Sequence, residues 1–258
     1  MRLKDKVIVV TGSTTGIGEA IARRAVQEGA QVLIHGRNRE AGEAVAASLG
    51  DAARFHADDI ADAAAPGRLV DAALAAFGRI DAVCNNAALV TRGDIRAADV
   101  ELFDNIMAVN VRAPLLLLQA ALPHLEKTRG CVLNIGSINA PCGEPKLLVY
   151  SMSKAALMTL TRNAADALGR TGVRVNYFLV GWVLSENERQ LKIKEGLPAD
   201  WAEHPPLEYV PTGVMTQPED IAGAAVYWLG DESRPFTGGV IELEQYPVIG
   251  RNPLKEGD

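Results

Sequence analysis

The sequence predicts a doubly wound α/β fold, a single domain over residues 1–258 with one parallel sheet and helices on both faces. Three observations predict it. Short apolar, β-branched runs alternate along the chain with longer Ala- and Leu-rich stretches of helical spacing. The strand-like runs are apolar throughout, as expected where both faces of a sheet are covered. A length of 258 residues suits one large α/β domain.

The strands fall at Val7–Val10, Val32–Ile34, Ala82–Cys84, Cys131–Ile135, Val173–Phe178 and Val240–Leu243. Helical spacing covers Ile17–Glu28, Arg39–Leu49, Ala63–Phe77, Val100–Leu125, Tyr150–Leu168 and Glu219–Leu229. Right-handed crossovers join such strands, and ligands bind beyond their C-terminal ends. One stretch breaks the alternation. Residues 185–218 contain Pro198, Pro205, Pro206, Pro211 and Pro218 and follow a strand on the ligand side, which favours a substrate lid over a cover for one sheet edge. Residues 246–258 are polar, with Pro247, Gly250 and Pro253, and read as a C-terminal tail that either reaches a neighbouring subunit or stays disordered.

Composition narrows the class of partner. At 48% hydrophobic and 22% charged residues, the chain is neither disordered nor fibrous. A net charge of −6 with no basic run leaves nothing to grip a phosphate backbone, so no nucleic acid is expected. Cys84, Cys131 and Cys142 form no CxxC pair, so they suit a reducing compartment and offer no metal-ligand spacing. The apolar run at the N-terminus is too short for a signal-peptide core. The apolar stretch at Ala113–Leu118 is interrupted by Gln119 and falls short of the roughly 20 residues of a membrane span. The expected location is cytoplasmic, away from membranes.

The first strand runs directly into Gly12-Ser-Thr-Thr-Gly16-Ile-Gly18, and a helix follows. Glycines at a βα junction let backbone N–H groups approach a pyrophosphate, and the helix N-terminus adds partial positive charge. This loop points to a dinucleotide. The end of the second strand selects which one: a carboxylate there accepts a ribose 2′-hydroxyl, whereas an arginine accommodates a 2′-phosphate. Here Gly36 is followed by Arg37, with Ser13 or Thr14 near enough in sequence logic to hydrogen-bond the same phosphate. NADP(H) is favoured over NAD(H).

Tyr150 and Lys154 stand at i and i+4 of a helical segment and so share a face. A phenol titrates near 10 and is a poor acid–base group at neutral pH unless a nearby ammonium stabilises the phenolate. Ser137 sits at the end of the preceding strand, on the same side.

At this point the chain resembles the short-chain dehydrogenase/reductase family over nearly its whole length. Thr11–Gly18 resembles that family's TGxxxGIG loop, and Asp59-Ile60 its adenine-side Asp-Val after the third strand. Asn85-Asn-Ala-Ala88 is similar to NNAG, and Gly181-Trp182 to the Pro-Gly motif after the sixth strand. Asn110, Ser137, Tyr150 and Lys154 fall in the order of its Asn-Ser-Tyr-Lys tetrad. The resemblance implies that Tyr150 is the general acid of carbonyl reduction and the base of alcohol oxidation. Lys154 would lower its pKa and hold the nicotinamide ribose, Ser137 would orient the substrate oxygen, and Asn110 would hold a water leading to solvent. The coenzyme would touch Gly12, Ser13, Thr14, Gly16, Ile17, Gly18, Gly36, Arg37, Asp59, Ile60, Asn86, Ala87, Tyr150, Lys154, Gly181, Val183 and Ser185. Relatives of this kind are commonly tetramers, so a homo-oligomer is expected.

The departures remove no catalytic group. Ala88 replaces a glycine, Val180 stands where proline usually precedes Gly181, and Ser185 replaces a threonine. The last strand leads into Glu244-Gln-Tyr-Pro-Val-Ile-Gly250 where the family usually has Asp-Gly-Gly, which puts the C-terminal contacts and the assembly in doubt. By the resemblance, Asn139, Glu144 and Trp182 line the substrate site, together with Cys142, Leu147 and Glu188. Asn139 and Glu144 suit the hydroxyls of a small sugar, polyol or hydroxy acid, and Trp182 suits its carbon skeleton. The competing reading within this class is a 3-oxoacyl-thioester reductase, whose acidic carrier would dock on Arg92 and Arg96, offset by Asp94 and Asp99. From another class, a catalytically silent NADP(H) sensor would show a broken tetrad, and here the tetrad is intact.

Overall fold

The computed structural model describes residues 1–245; the 246–258 tail lies outside the described residues. Strands β1 (Val7–Val10), β2 (Gln31–Gly36), β3 (Ala53–Ala57), β4 (Ala82–Asn85), β5 (Cys131–Ile135), β6 (Arg174–Val180) and β7 (Val240–Leu243) form one sheet. All pairings are parallel, in the order β3-β2-β1-β4-β5-β6-β7. The helices are α1 (Gly16–Gln27), α2 (Arg39–Leu49), α3 (Ala65–Phe77), α4 (Val100–Met107), α5 (Ala113–Thr128), α6 (Asn139–Cys142), α7 (Leu148–Leu168), α8 (Glu186–Lys194) and α9 (Pro218–Leu229).

The uninterrupted apolar strands have the expected cause. Successive strand residues face opposite sides, so Ile8 and Val10 pack with Ile21, Ala25, Ala225 and Val226 of α1 and α9. Val9, between them, packs instead with Leu69, Ala73, Leu117 and Ala121 of α3 and α5. Both faces of β1 are thus covered by apolar side chains. The order reverses at β1, whose neighbours are β2 on one side and β4 on the other. The loops after these strands part there and leave a crevice at their C-terminal ends.

Four elements differ from the sequence reading, each for a local reason. Ala53–Ala57 is a seventh strand, hidden because Arg54 and His56 interrupt its apolar residues; as the sheet edge it needs only partial burial. β6 runs on to Val180, carrying the chain two residues deeper into the site than Phe178. The long helix predicted from Val100 divides: α4 and α5 are joined by a π-helical turn at Ala108–Arg112, and the helical run ends at Thr128. By length and composition that run could cross a membrane, yet it serves as a core helix, with Leu117, Ala121 and Leu125 fully buried. The predicted lid holds a helix of its own, α8, which Ser185 caps by accepting the amide of Glu188 at 3.2 Å.

Candidate active site

The glycine loop is shaped by two positive φ angles, 61° at Gly12 and 59° at Gly16, where α1 begins. Gly18 is obligatory for packing: a Cβ there would lie 2.3 Å from the carbonyl oxygen of Gly12 and 2.4 Å from Nδ2 of Asn86. The loop is clamped from the neighbouring strand end. Thr11 Oγ1 accepts the amides of Asn86 and Ala87 at 3.0 Å each, and Asn86 Nδ2 donates to the carbonyls of Thr11 and Gly12 at 3.0 and 2.9 Å. No side chain caps the start of α1. Its first N–H groups are therefore available to an anion, and the loop fits a pyrophosphate.

Ser13 departs from the expectation of a phosphate contact. It is fully buried, donates to the Val10 carbonyl at 2.7 Å and accepts the amide of His35 at 3.0 Å, so it ties β1 to β2. Thr14 instead lies against Gly36: a Cβ there would approach Thr14 Oγ1 to 3.0 Å. Beyond it Arg37 is exposed and makes no ion pair among the described residues. Asp58, the nearest carboxylate along β3, is held by a bidentate pair to Arg68 at 2.7 and 2.8 Å, which depresses it to about 2. Asp59 is exposed and accepts the amide of Ala61 at 3.0 Å, while Ile60 is buried in the core beneath. Ile17 and Val183 likewise present side chains to the core beneath the crevice. A Cβ on Gly16 would stand 3.4 Å from Cβ of Ser185, so the loops after β1 and β6 face each other across the crevice.

Ser137, Tyr150 and Lys154 converge at the end of β5. The Tyr150 phenol lies within hydrogen-bonding reach of Ser137. Lys154 is buried at 2% exposure; its Nζ donates to the carbonyl of Ile135 at 2.8 Å and stands 5.6 Å from the centre of the Tyr150 ring. Burial pulls the ammonium down to about 8. The expected lowering of the phenol is not seen in this state. Desolvation pushes Tyr150 up to about 12, Ser137 pulls it part of the way back, and the charge of Glu188 adds to the rise. The ammonium is engaged by a carbonyl and lies against the ring, so it offsets little of that burial.

Asn110 occupies the π-helical turn, a common device at functional sites. Its side-chain oxygen accepts the Leu89 amide at 2.8 Å; its Nδ2 donates to the Leu89 carbonyl at 3.1 Å and to Ser153 Oγ at 2.9 Å. That amide is thus committed to protein groups, and the expected water would fall to other atoms. Ser153 in turn donates to the Tyr150 carbonyl at 2.7 Å, so Asn110 braces α7.

The excursion 185–218 leaves and returns at one place, the bridge between Val183 and Thr216. It has a small core, Trp201, Val210 and Met215, roofed by Trp182 and Tyr209. Trp182 is used differently from the expectation of a substrate contact. Its ring stacks on Trp201 at 5.2 Å, Lys192 Nζ lies 5.6 Å from its centre, and its indole N–H donates to Glu188 at 2.8 Å. It is a pillar of this excursion, and Glu188 is the residue there whose charge reaches Tyr150. Glu195 reaches Arg92, in the loop after β4, at 2.6 Å. Asn139 is partly buried, its amide donating to Ser137 Oγ at 3.2 Å, and Glu144 accepts the amide of Lys146 at 3.3 Å within its own turn. Gly181 lies under Glu244, which accepts the Trp182 amide at 3.2 Å.

Sequence reasoning missed two supports. His35 is buried under the glycine loop and its Nδ1 accepts the Gly12 amide at 3.2 Å. Asn85, Asn134 and Thr161 form a buried chain from β4 through β5 to α7, with links of 2.8 Å each. Both are polar residues inside apolar strands, the one signal that marked them.

A dinucleotide crevice with a phenol, a hydroxyl and a buried ammonium at its rim defines an NAD(P)-dependent oxidoreductase. Comparison with known proteins agrees. A family model described as enoyl-(acyl carrier protein) reductase matches residues 12–244. The chain is 36% identical over 249 residues to 2-(S)-hydroxypropyl-CoM dehydrogenase 3 of Xanthobacter autotrophicus, covering 94% of this chain and 96% of that protein. It is 37% identical over 258 residues to a sorbitol dehydrogenase of Cereibacter sphaeroides, covering 98% and 99%. A 3-ketoacyl-(acyl-carrier-protein) reductase from Brucella melitensis, complexed with NADH, superposes with a TM-score of 0.83 at 28% identity, over 93% of this chain and 97% of that one. The chain belongs to the short-chain dehydrogenase/reductase family, whose members use a nicotinamide coenzyme and act on small molecules.

Two pH-linked outcomes follow from the buried bases. Burial lowers His35 from 6.5 to about 4. The unfolded chain therefore binds more protons between those values, and stability present above 6.5 is lost as pH falls towards 4. Urea unfolding at pH 7 and pH 4.5 should show a loss of about 2–3 kcal/mol that His35→Gln largely removes. Lys154 has the same sign at higher pH: below about 8 the native state holds a buried charge that the unfolded state solvates. Lys154→Met should raise stability at pH 7 by about 1–3 kcal/mol and add nothing above pH 10.5. Equal stability of the variant and the parent at pH 7 would sink this account.

Proposed function

We propose that this protein is an NADP(H)-dependent oxidoreductase that interconverts a carbonyl and a secondary alcohol on a small polar substrate, with Tyr150 as general acid and base. The observation that carries the reading is the convergence of Ser137, Tyr150 and Lys154 beside a glycine loop built for a pyrophosphate. When bound, the coenzyme supplies the hydride acceptor or donor. The chain's own groups do the rest. In reduction, Ser137 and the Tyr150 hydroxyl hold the carbonyl oxygen, and Tyr150 passes its proton to that oxygen as negative charge develops. In oxidation the same phenol receives the proton. Lys154, charged below about 8 and anchored on the Ile135 carbonyl, would hold the nicotinamide ribose and supply positive charge beside the Tyr150 ring. Asn110 keeps this helix in register.

NADP(H) is favoured because Arg37 is exposed and makes no ion pair among the described residues, while Asp58 is paired with Arg68. The coenzyme set is then Gly12, Thr14, Gly16, Ile17, Gly18, Gly36, Arg37, Asp59, Ile60, Asn86, Ala87, Gly181, Val183 and Ser185 with the catalytic pair; Ser13 acts through the loop. Asn139 and Glu144 favour hydroxylated substrates such as a polyol or sugar, and the sorbitol dehydrogenase relative supports that class. A 3-oxoacyl-thioester reductase is the second reading, supported by the structural neighbour. Against it, Arg92 is tied to Glu195 and leaves a thin basic rim for an acidic carrier. Exposed Val100, Phe103 and Leu115 on α4 and α5 suit a contact with a second copy, as in a homotetramer, in the cytoplasm.

Nicotinamide absorbance during turnover, with NADP⁺ and NAD⁺ over polyols, sugars, secondary alcohols and a 3-oxoacyl thioester, tests the activity. Tyr150→Phe should lower kcat at least ~100-fold with coenzyme binding retained. Full activity of that variant would remove Tyr150 from the mechanism. Arg37→Ala should reduce the preference for NADPH over NADH by about tenfold or more. An unchanged ratio would overturn the coenzyme assignment.

A further inference from the structure

Tyr177 lies in the middle of β6, fully buried, and no role described so far uses it. Its hydroxyl accepts the backbone amide of Ser137 at 3.2 Å and donates to the backbone carbonyl of Lys154 at 3.0 Å. One atom therefore joins two members of the catalytic set, one at the end of β5 and the other in α7. The amides on either side of Ser137 are taken by the strand: Gly136 donates to Phe178 and Ile138 to Val180, at 2.8 and 3.1 Å. Past the end of β4, the Ser137 amide has no strand carbonyl to meet, and Tyr177 supplies its acceptor. The phenol reaches this point because residue 136 has no side chain: a Cβ there would lie 1.8 Å from Cζ of Tyr177. Gly136 and Tyr177 are cut to fit each other. Burial pushes the Tyr177 phenol upward, so it stays a neutral donor across the working pH range.

We propose that Tyr177 is a positioning residue for the oxidoreductase reaction, holding Ser137 at a set distance from the helix that carries Tyr150 and Lys154. This rests on the function proposed above. Ser137 assists the Tyr150 phenolate through a hydrogen bond, an interaction steep in distance, so a Ser137 amide without its acceptor lets the hydroxyl wander from the phenol. A buried tyrosine that merely filled space would carry no such consequence.

The test is Tyr177→Phe, which keeps the ring in the gap at Gly136 and removes the bridge alone. With the best alcohol substrate, kcat should fall about tenfold while KM and the coenzyme Kd stay within about threefold. The ascending limb of the pH profile for oxidation should move to higher pH by about half a unit, because the phenolate loses part of its support. Amide exchange followed by mass spectrometry, on protein without substrate, should quicken at residues 136–138 and stay unchanged at 174–176. Lower thermal stability with unchanged kcat and pH limb would reduce Tyr177 to a structural residue and overturn the proposal. If Tyr177→Phe fails to bind coenzyme, 3-fluorotyrosine at position 177 keeps the shape and weakens the acceptor, and a smaller shift of the limb in the same direction is expected; no shift overturns the proposal. If the wild type turns over no alcohol or carbonyl, the proposed function fails. Exchange then decides the bridge by itself, since unaltered protection at Ser137 would exclude it.

Discussion

The catalytic end of this molecule depends on the hydrogen-bonding demand of the backbone where strand order reverses. β1 ends between two parallel neighbours, and its following loop must turn sharply without leaving buried amides and carbonyls unpaired. Thr11 and Asn86 meet that demand reciprocally, each serving the backbone around the other. His35 and Ser13 close the remaining side from β2. The loop is thereby fixed with its outward N–H groups toward the crevice. That clamp sets the loop's shape at the rim where Ser137, Tyr150 and Lys154 also lie.

Lys154 is the second constraint and works in the opposite direction, against stability. A lysine at 2% exposure, its Nζ bonded to a carbonyl and lying against a ring, is held where its charge is costly. Dry cores on both faces of the sheet and the Asn85–Asn134–Thr161 chain beneath β4, β5 and α7 offset that penalty. Perturbed ionisation at functional sites commonly arises this way. The 185–218 excursion contributes as well: Trp182 stacks on Trp201 and holds Glu188, and the Arg92–Glu195 pair ties the excursion to the loop after β4. That pair is part-exposed and weak alone, but it joins segments about a hundred residues apart in the chain.

Much of this was legible in the residues. The parallel sheet showed in the apolar strands, the glycine loop in the spacing of Gly12, Gly16 and Gly18, and the closeness of Tyr150 and Lys154 in their i, i+4 step. The edge strand at Ala53–Ala57 was not legible, because an edge is half-buried and tolerates Arg54 and His56. Ser13 and Trp182 make protein contacts that the sequence did not show. A hydroxyl beside a phosphate loop and an indole beside a substrate pocket look available in one dimension. In three, Ser13 is turned inward by β2, and Trp182 is covered by Trp201, nineteen positions further on.

By itself the sequence determined the sheet, the crevice and the residue types brought to its rim, since these rest on local periodicity, on turn chemistry and on residue type. Tertiary structure alone decided the ionisation of Tyr150 and Lys154, the commitment of Asn110 to Leu89 and Ser153, and the meeting of Tyr177 with Ser137 and Lys154. The reason is physical. Burial and hydrogen-bond partnership are set by whichever groups packing brings within about 3 Å, and those partners lie tens of residues apart along the chain.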